Sequence, residues 1–208
     1  MAEAVRLGEA ARGRSAPNPN VGCVIVSDNG DLLGRGATAV GGRPHPEAIA
    51  LEQARGRAKG STVYVTLEPC AHRSPRGPAC AELLIKAKPA RVVIALKDPD
   101  KRTSGKGIKL LRDAGIEVKL GAGRKAAGES LAGWLTRLEL GRPRITLKLA
   151  LSIDGKIALP SGESKWITGE DARKHVHLER AHPDMILVGR GTYLADAPKL
   201  DVRLPGLE

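Results

Sequence analysis

Three side chains between residues 45 and 80 could hold a metal ion. They are His45 in His45-Pro46-Glu47, Cys70 in Pro69-Cys70, and Cys80. One imidazole and two thiolates suit tetrahedral zinc and leave a fourth position for water. The two thiolates balance the ion's charge, while a bound water is still acidified toward neutral pH. Glu47 stands two residues beyond His45. A carboxylate there can face that water without binding the metal, as a general base that later returns the proton must. Taken singly, these residues read equally well as a core histidine and buried thiols. Their order, His-x-Glu, then Pro-Cys, then Cys, is what points to zinc. Cys23 lies in an apolar run and reads as a core thiol.

The elements that must position these groups alternate along the chain. Helices are predicted over residues 2–12, 46–57, 78–86, 104–114 and 124–140, and strands over 21–26, 32–37, 62–66, 91–96 and 116–120. Pro46 fits the first turn of its helix, where a missing N–H costs nothing. Ala48, Leu51 and Ala54 are expected on its inner face. His45 and Cys70 are both expected where a helix opens, and unpaired N–H groups there stabilise thiolates. Ser27-Asp28-Asn29-Gly30 reads as a hairpin turn. Strands alternating with helices predict a three-layer α/β sandwich. Gly141-Arg142-Pro143 marks a boundary, so two domains are predicted, 1–141 and 142–208. Past it, strands are expected at 144–151 and 185–188. Ser152 to Gly155 should turn the first of them. A helix is expected from an N-cap at Thr168 to Ala181.

Composition narrows the function. The chain has 208 residues and a formal charge of +11, and nine of those net charges fall in residues 1–141. A basic chain suits an anionic partner, either nucleic acid or a phosphorylated small molecule. Tyr64, Trp134, Trp166 and Tyr193 are the only aromatics. So few stacking platforms weigh against single-strand nucleic acid. No apolar run approaches the ~18–20 residues of a membrane span. Residues 1–14 lack the apolar stretch of a secretory signal. Three cysteines make no disulfide framework, so a reducing cytoplasm is expected.

With these motifs in hand, the chain resembles the bifunctional riboflavin-biosynthesis deaminase-reductase family. The matching strings run nearly end to end. They are Pro17-Asn18-Pro19-Asn20-Val21-Gly22, His45-Pro46-Glu47, Thr66-Leu67-Glu68-Pro69-Cys70-Ala71-His72, Asp98-Pro99-Asp100, Ser152-Ile153-Asp154-Gly155 and Ser161-Gly162-Glu163-Ser164-Lys165-Trp166-Ile167-Thr168. Pro46 stands where the family usually has alanine, and nine residues separate Cys70 from Cys80. The resemblance implies a cytidine-deaminase-like sandwich followed by the start of a dihydrofolate-reductase-like domain. It implies zinc on His45, Cys70 and Cys80, with Glu47 as proton shuttle. Asn20 and His72 are implied for the pyrimidine pocket. In the second domain it implies NADPH at Leu151, Trp166, Thr192 and Asp196, and substrate at Ser164, Arg180, Leu200 and Arg203.

The implied reaction is hydrolytic deamination of a phosphoribosylated diaminopyrimidinone, followed by NADPH-dependent reduction of its ribosyl group. A homo-oligomer with no nucleic-acid or membrane partner is implied too. Family members continue beyond this chain's last residue with the rest of the reductase, so deamination is expected of this polypeptide and efficient reduction is not. Two other readings stay open here. One is a nucleic-acid deaminase of the tRNA-adenosine type. The other is a non-catalytic zinc-binding fragment.

Overall fold

The computed structural model describes residues 1–206. The chain forms two compact units, Met1–Arg144 and Ile145–Glu208.

The first unit is built on five strands: β1 (Gly22–Val26), β2 (Leu32–Ala37), β3 (Thr62–Leu67), β4 (Arg91–Leu96) and β5 (Glu117–Leu120). Their order in the sheet is β2-β1-β3-β4-β5. β1 runs antiparallel to both β2 and β3, while β3, β4 and β5 are parallel. Ile25, Val63, Val65, Val92 and Ile94 are fully buried. Their near-continuous apolar runs are what a sheet covered on both faces needs. α1 (Ala2–Ala10) packs with α5 (Arg124–Ser130), and α5 adjoins α6 (Ala132–Leu140). α2 (Pro46–Ala54), α3 (Cys80–Ala87) and α4 (Lys106–Asp113) pack side by side as a second set. Leu84, Leu111 and Leu131 carry these helices into the core. This is the α/β layered arrangement expected, with a mixed sheet.

Two differences from the sequence expectation have local causes. The inner face of α2 is Pro46, Glu47, Ala50 and Ala54, with Ala48 and Leu51 only partly covered. It is set by the glycines of β2. A Cβ on Gly34 would lie 2.0 Å from the Ala50 carbonyl oxygen, so strand and helix meet backbone to backbone there. The helix expected over 124–140 breaks at Leu131 (φ −90°, ψ 7°). The Ser130 hydroxyl and carbonyl oxygen both accept from Asn20 Nδ2, which draws that peptide out of the helical ladder.

In the second unit, α7 (Glu170–Ala181) follows an N-cap at Gly169, one residue after the Thr168 expected. A further helix, α8 (Arg190–Asp196), was not expected from the sequence. Residues 152–156 do turn, with Ser152 N–H donating to the Lys156 carbonyl at 2.9 Å. Residues 144–151 and 185–188 are not strands. A strand needs a hydrogen-bonded neighbour, and neither segment pairs with anything among the described residues. Ile145, Leu147 and Leu187 are accordingly exposed. No helix among the described residues is long and apolar enough to cross a membrane.

Candidate metal centre and cavity

His45 is the N-cap of α2, in extended backbone (φ −74°, ψ 157°). Pro69 and Cys70 follow β3 directly, and Cys80 is the first residue of α3. The helix N-terminus therefore belongs to Cys80, not Cys70 as expected, yet it serves both thiols. The Cys80 N–H donates to Cys70 Sγ at 3.2 Å.

His45 Nδ1 lies 3.3 Å from Cys80 Sγ and 3.6 Å from Cys70 Sγ. All three donor atoms fall within 4.8 Å of one another. Bonds of zinc length to N and S set tetrahedral edges of about 3.5 Å. The donor set and its spacing thus fit a zinc ion held by His45 Nδ1 and the two sulfurs. The Cys80 hydrogen bond holds the Cys70 thiol down, to a pKa of about 4, against the opposing effect of burial. The Cys80 thiol is pushed well above its ordinary range by donating to Cys70 and by burial. One thiolate is therefore formed before any cation arrives.

Glu47 sits in the first turn of α2 and is 3% exposed. Burial raises its pKa, and His45 nearby pulls the other way. A buried carboxyl with a raised pKa can hold a proton that an exposed one would release. Behind the imidazole, Asn18 Nδ2 donates to the Gly42 carbonyl at 2.7 Å and lies 3.1 Å from His45 Nε2. Such contacts fix a ligand's ring orientation.

The ends of β3 and β4 are clasped together. The buried Glu68 carboxylate accepts the N–H groups of Asp98, Gly105 and Ile108 at 3.2, 2.9 and 3.1 Å. Gly107 completes the clasp, because a Cβ there would lie 2.1 Å from the Pro69 carbonyl oxygen. Parallel strand ends are where ligand clefts form in open α/β sheets. Here they open on a cavity of about 180 Å³ whose wall includes Asn18, Glu47, Cys70, His72, Asp98 and Trp134. Arg43, Arg76 and Arg102 also line it, with Arg102 paired to the Asp100 carboxylate. Burial raises the Asp98 pKa to about 6.

His72 lines this cavity, with Nδ1 3.4 Å from the Thr103 hydroxyl. Asn20 does not. Its amide donates to the Gly8 carbonyl at 3.1 Å and to Ser130 Oγ at 3.0 Å, which ties α1 to the end of α5. The wall at that point is Asn18, two residues earlier in the same Pro-Asn-Pro-Asn string. Asp98 and Glu68, both on this wall, lie in sequence motifs that imply no role for them. Trp134 carried no sequence signal beyond being a rare aromatic.

In the second unit, Arg180 and Arg203 converge on Asp201. Arg180 Nη1 donates to its carbonyl oxygen at 3.4 Å, and Arg203 pairs with its carboxylate. The Arg203 N–H donates to His177 Nδ1 at 3.2 Å. Trp166 is 72% exposed, with the Arg173 guanidinium 4.4 Å from its ring centroid. Asp196 lies 3.5 Å from Lys165. Thr192 is on α8, Leu200 has a left-handed backbone (φ 58°), and Leu151 and Ser164 are exposed.

Comparison with known proteins agrees with this geometry. Residues 1–96 match the family model for the cytidine and deoxycytidylate deaminase zinc-binding region, and residues 143–208 match the RibD C-terminal domain. Riboflavin biosynthesis protein RibD of Escherichia coli is 46% identical over 208 residues, which are 100% of this chain and 56% of that protein. The chain thus spans about half the length of the curated relatives it matches. A solved RibD from Acinetobacter baumannii superposes with a TM-score of 0.87 at 46% identity, covering 98% of this chain and 57% of that one. A diaminohydroxyphosphoribosylaminopyrimidine deaminase/5-amino-6-(5-phosphoribosylamino)uracil reductase from Thermotoga maritima gives 0.91 at 39% identity, covering 99% and 59%.

Proposed function

The chain belongs to the RibD family of riboflavin biosynthesis proteins, and from that premise we propose that its first unit is a zinc-dependent pyrimidine deaminase. The substrate would be 2,5-diamino-6-(5-phosphoribosylamino)pyrimidin-4-one. Water replaces the ring amino group, giving the oxo product and ammonia. The observation that carries this reading is the His45, Cys70, Cys80 cluster beside the buried Glu47 at one cavity.

His45, Cys70 and Cys80 would hold the zinc, which when bound would supply Lewis acidity. Glu47 takes a proton from the attacking water on its carboxylate. It then returns it to the ring nitrogen and the departing amine. Burial suits it to both halves of this cycle, because it raises the pKa and so favours the protonated carboxyl more than an exposed site would. The clasp at Glu68 holds the cavity wall against the Cys70 turn. The guanidinium groups of Arg43 and Arg76 favour an anionic substrate. His72 faces the pyrimidine.

Residues 142–208 belong, in this reading, to an NADPH-dependent reductase domain, with Leu151, Trp166, Thr192 and Asp196 toward cofactor and Ser164, Arg180, Leu200 and Arg203 toward substrate. A cytoplasmic homo-oligomer is part of the proposal. A nucleic-acid deaminase is disfavoured because, among the described residues, the cavity wall holds Trp134 and no Phe or Tyr on which bases could stack.

The test is ammonia release from the phosphoribosyl pyrimidine by the purified chain, with zinc counted by mass spectrometry. Zinc-dependent release is expected. Stoichiometric zinc without ammonia would leave a structural zinc module instead.

A further inference from the structure

The end of the sheet away from the cavity carries positive charge that nothing neutralises. The cavity opens where β3 and β4 finish, and both strands begin about 17 Å from there, the length of a six-residue strand. The loops that lead into them are stitched together through their backbones. The Gly60 N–H donates to the Lys88 carbonyl at 3.0 Å, and the Ala90 N–H to the Ser61 carbonyl at 2.9 Å. On and beside these loops stand Arg55, Arg57, Lys59, Lys86 and Lys88, all exposed. Among the described residues none of the five makes an ion pair. Glu117, at the start of β5, is already shared by Arg91 and Lys119. Asp28 and Asp31, in the turn after β1, and Glu52, a turn before Arg55, give the patch an acidic border on one side only.

Arg55 and Lys88 cap the carboxyl ends of α2 and α3 in left-handed backbone (φ 48° and 54°), where glycine is the usual residue. A cation at a helix's carboxyl end is favourable in itself, but that effect fades within the last turn. It does not account for Arg57 and Lys59, which lie beyond α2. No large apolar side chain is exposed on these loops, so nothing here would enter a bilayer or anchor in a protein pocket. Gly56 and Gly60 face open space. We propose that this end of the first unit is a docking surface for the phosphate backbone of a nucleic-acid duplex, contacted without reading its bases. Lysine and arginine on phosphates supply the sequence-independent part of such binding. Scarce aromatics weigh against single strands, which bind by stacking, and not against a duplex. The family resemblance implies no nucleic-acid partner, and the placement of charge is what departs from it. The surface does not depend on the deaminase reading, because it lies a strand's length from the cavity.

The test is fluorescence anisotropy of short labelled RNA and DNA duplexes, each in two unrelated sequences, titrated with the full chain over a range of salt. Binding should ignore sequence, and the tighter of the two duplexes names the source of the phosphates. The slope of log K against log salt should be about −4.5 if all five cations meet phosphates. Lys59→Glu with Lys88→Glu should weaken binding about 10-fold or more at low salt and make the slope shallower by about 2. Glutamine at both positions repeats the test without reversed charges, and thermal midpoint and zinc content show that each variant folds. Arg124→Glu with Lys125→Glu, exposed on α5, makes the same change in net charge on another face and should leave binding within about 2-fold of the parent. No binding by the parent at low salt, or equal losses in the two reversed pairs, overturns the proposal. So does polyglutamate that displaces the probe as well as unlabelled duplex does, because the patch would then suit an acidic protein. Ammonia release is scored separately and bears only on the deaminase reading.

Discussion

The N–H of Cys80 donates to Cys70 Sγ at 3.2 Å, so one cysteine opens α3 while the other collects its first free donor. The Cys70 thiolate is stabilised by the same helix that carries its co-ligand. Cys80, whose thiol also donates to Cys70, keeps its own proton.

Zinc uptake should therefore release fewer than two thiol protons from the Cys70–Cys80 pair near pH 7, because the hydrogen bond between them already favours one thiolate. Calorimetric titration in buffers of different ionisation enthalpy counts them. A release of about two protons would contradict the assignment.

Replacing Glu47 by glutamine should leave zinc bound and lower the deamination rate by about 10²- to 10⁴-fold. The amide fills the same space in α2 but cannot take a proton from water. Metal content and initial rates on one preparation decide it; near-normal turnover with full zinc would remove Glu47 from the proton path.

Asp98 makes stability depend on pH in a set direction. Its ordinary value of 3.8 is raised to about 6 by burial. Between those values the folded state binds more protons than the unfolded one, so stability falls as pH rises from about 4 to about 6. The full effect is roughly 2–3 kcal/mol. Asp98→Asn should be more stable than the parent above pH 6 and lose that advantage below pH 4. Urea unfolding of both proteins across that range is the measurement, and a parallel pair of curves would rule the effect out.

Glu68→Ala should cost about 3 kcal/mol or more, because it leaves the N–H groups of Asp98, Gly105 and Ile108 without an acceptor in a buried place. Glutamine should recover part of the loss, since one oxygen remains. Equilibrium unfolding with zinc present reports both, and an alanine variant as stable as the parent would mean that water replaces the carboxylate.

Gly107→Ala should destabilise the same clasp, because its Cβ would meet the backbone carbonyl oxygen of Pro69 at 2.1 Å and the hydrogen-bonded Glu68 carboxylate at 3.3 Å. Reduced zinc retention on dialysis against a mild chelator is expected, since Pro69 adjoins Cys70. Parental retention would show that the loop yields without moving the ligand.

The metal centre was legible because its chemistry is written in residue types. A His-x-Glu with two later cysteines allows few other readings, and the strands between them are apolar enough to place. The cavity wall was less so. Asn18 and Asn20 are identical in type and two apart, and only the packing of α1 against α5 decides that Asn20 turns to Gly8 and Ser130. Trp134 depends on where α6 lands after a break at Leu131, which a helical pattern over 124–140 does not reveal. In the second unit, residues 144–151 have a strand's alternation, but a strand exists only by pairing.

The bond from Asn20 to Ser130 joins residues 110 positions apart, at the two ends of the first unit. A ribosome delivers the metal donors long before it delivers Ser130 and the core residue Leu131. On the nascent chain, the cavity that serves those donors cannot be walled in until the last helices of the unit emerge.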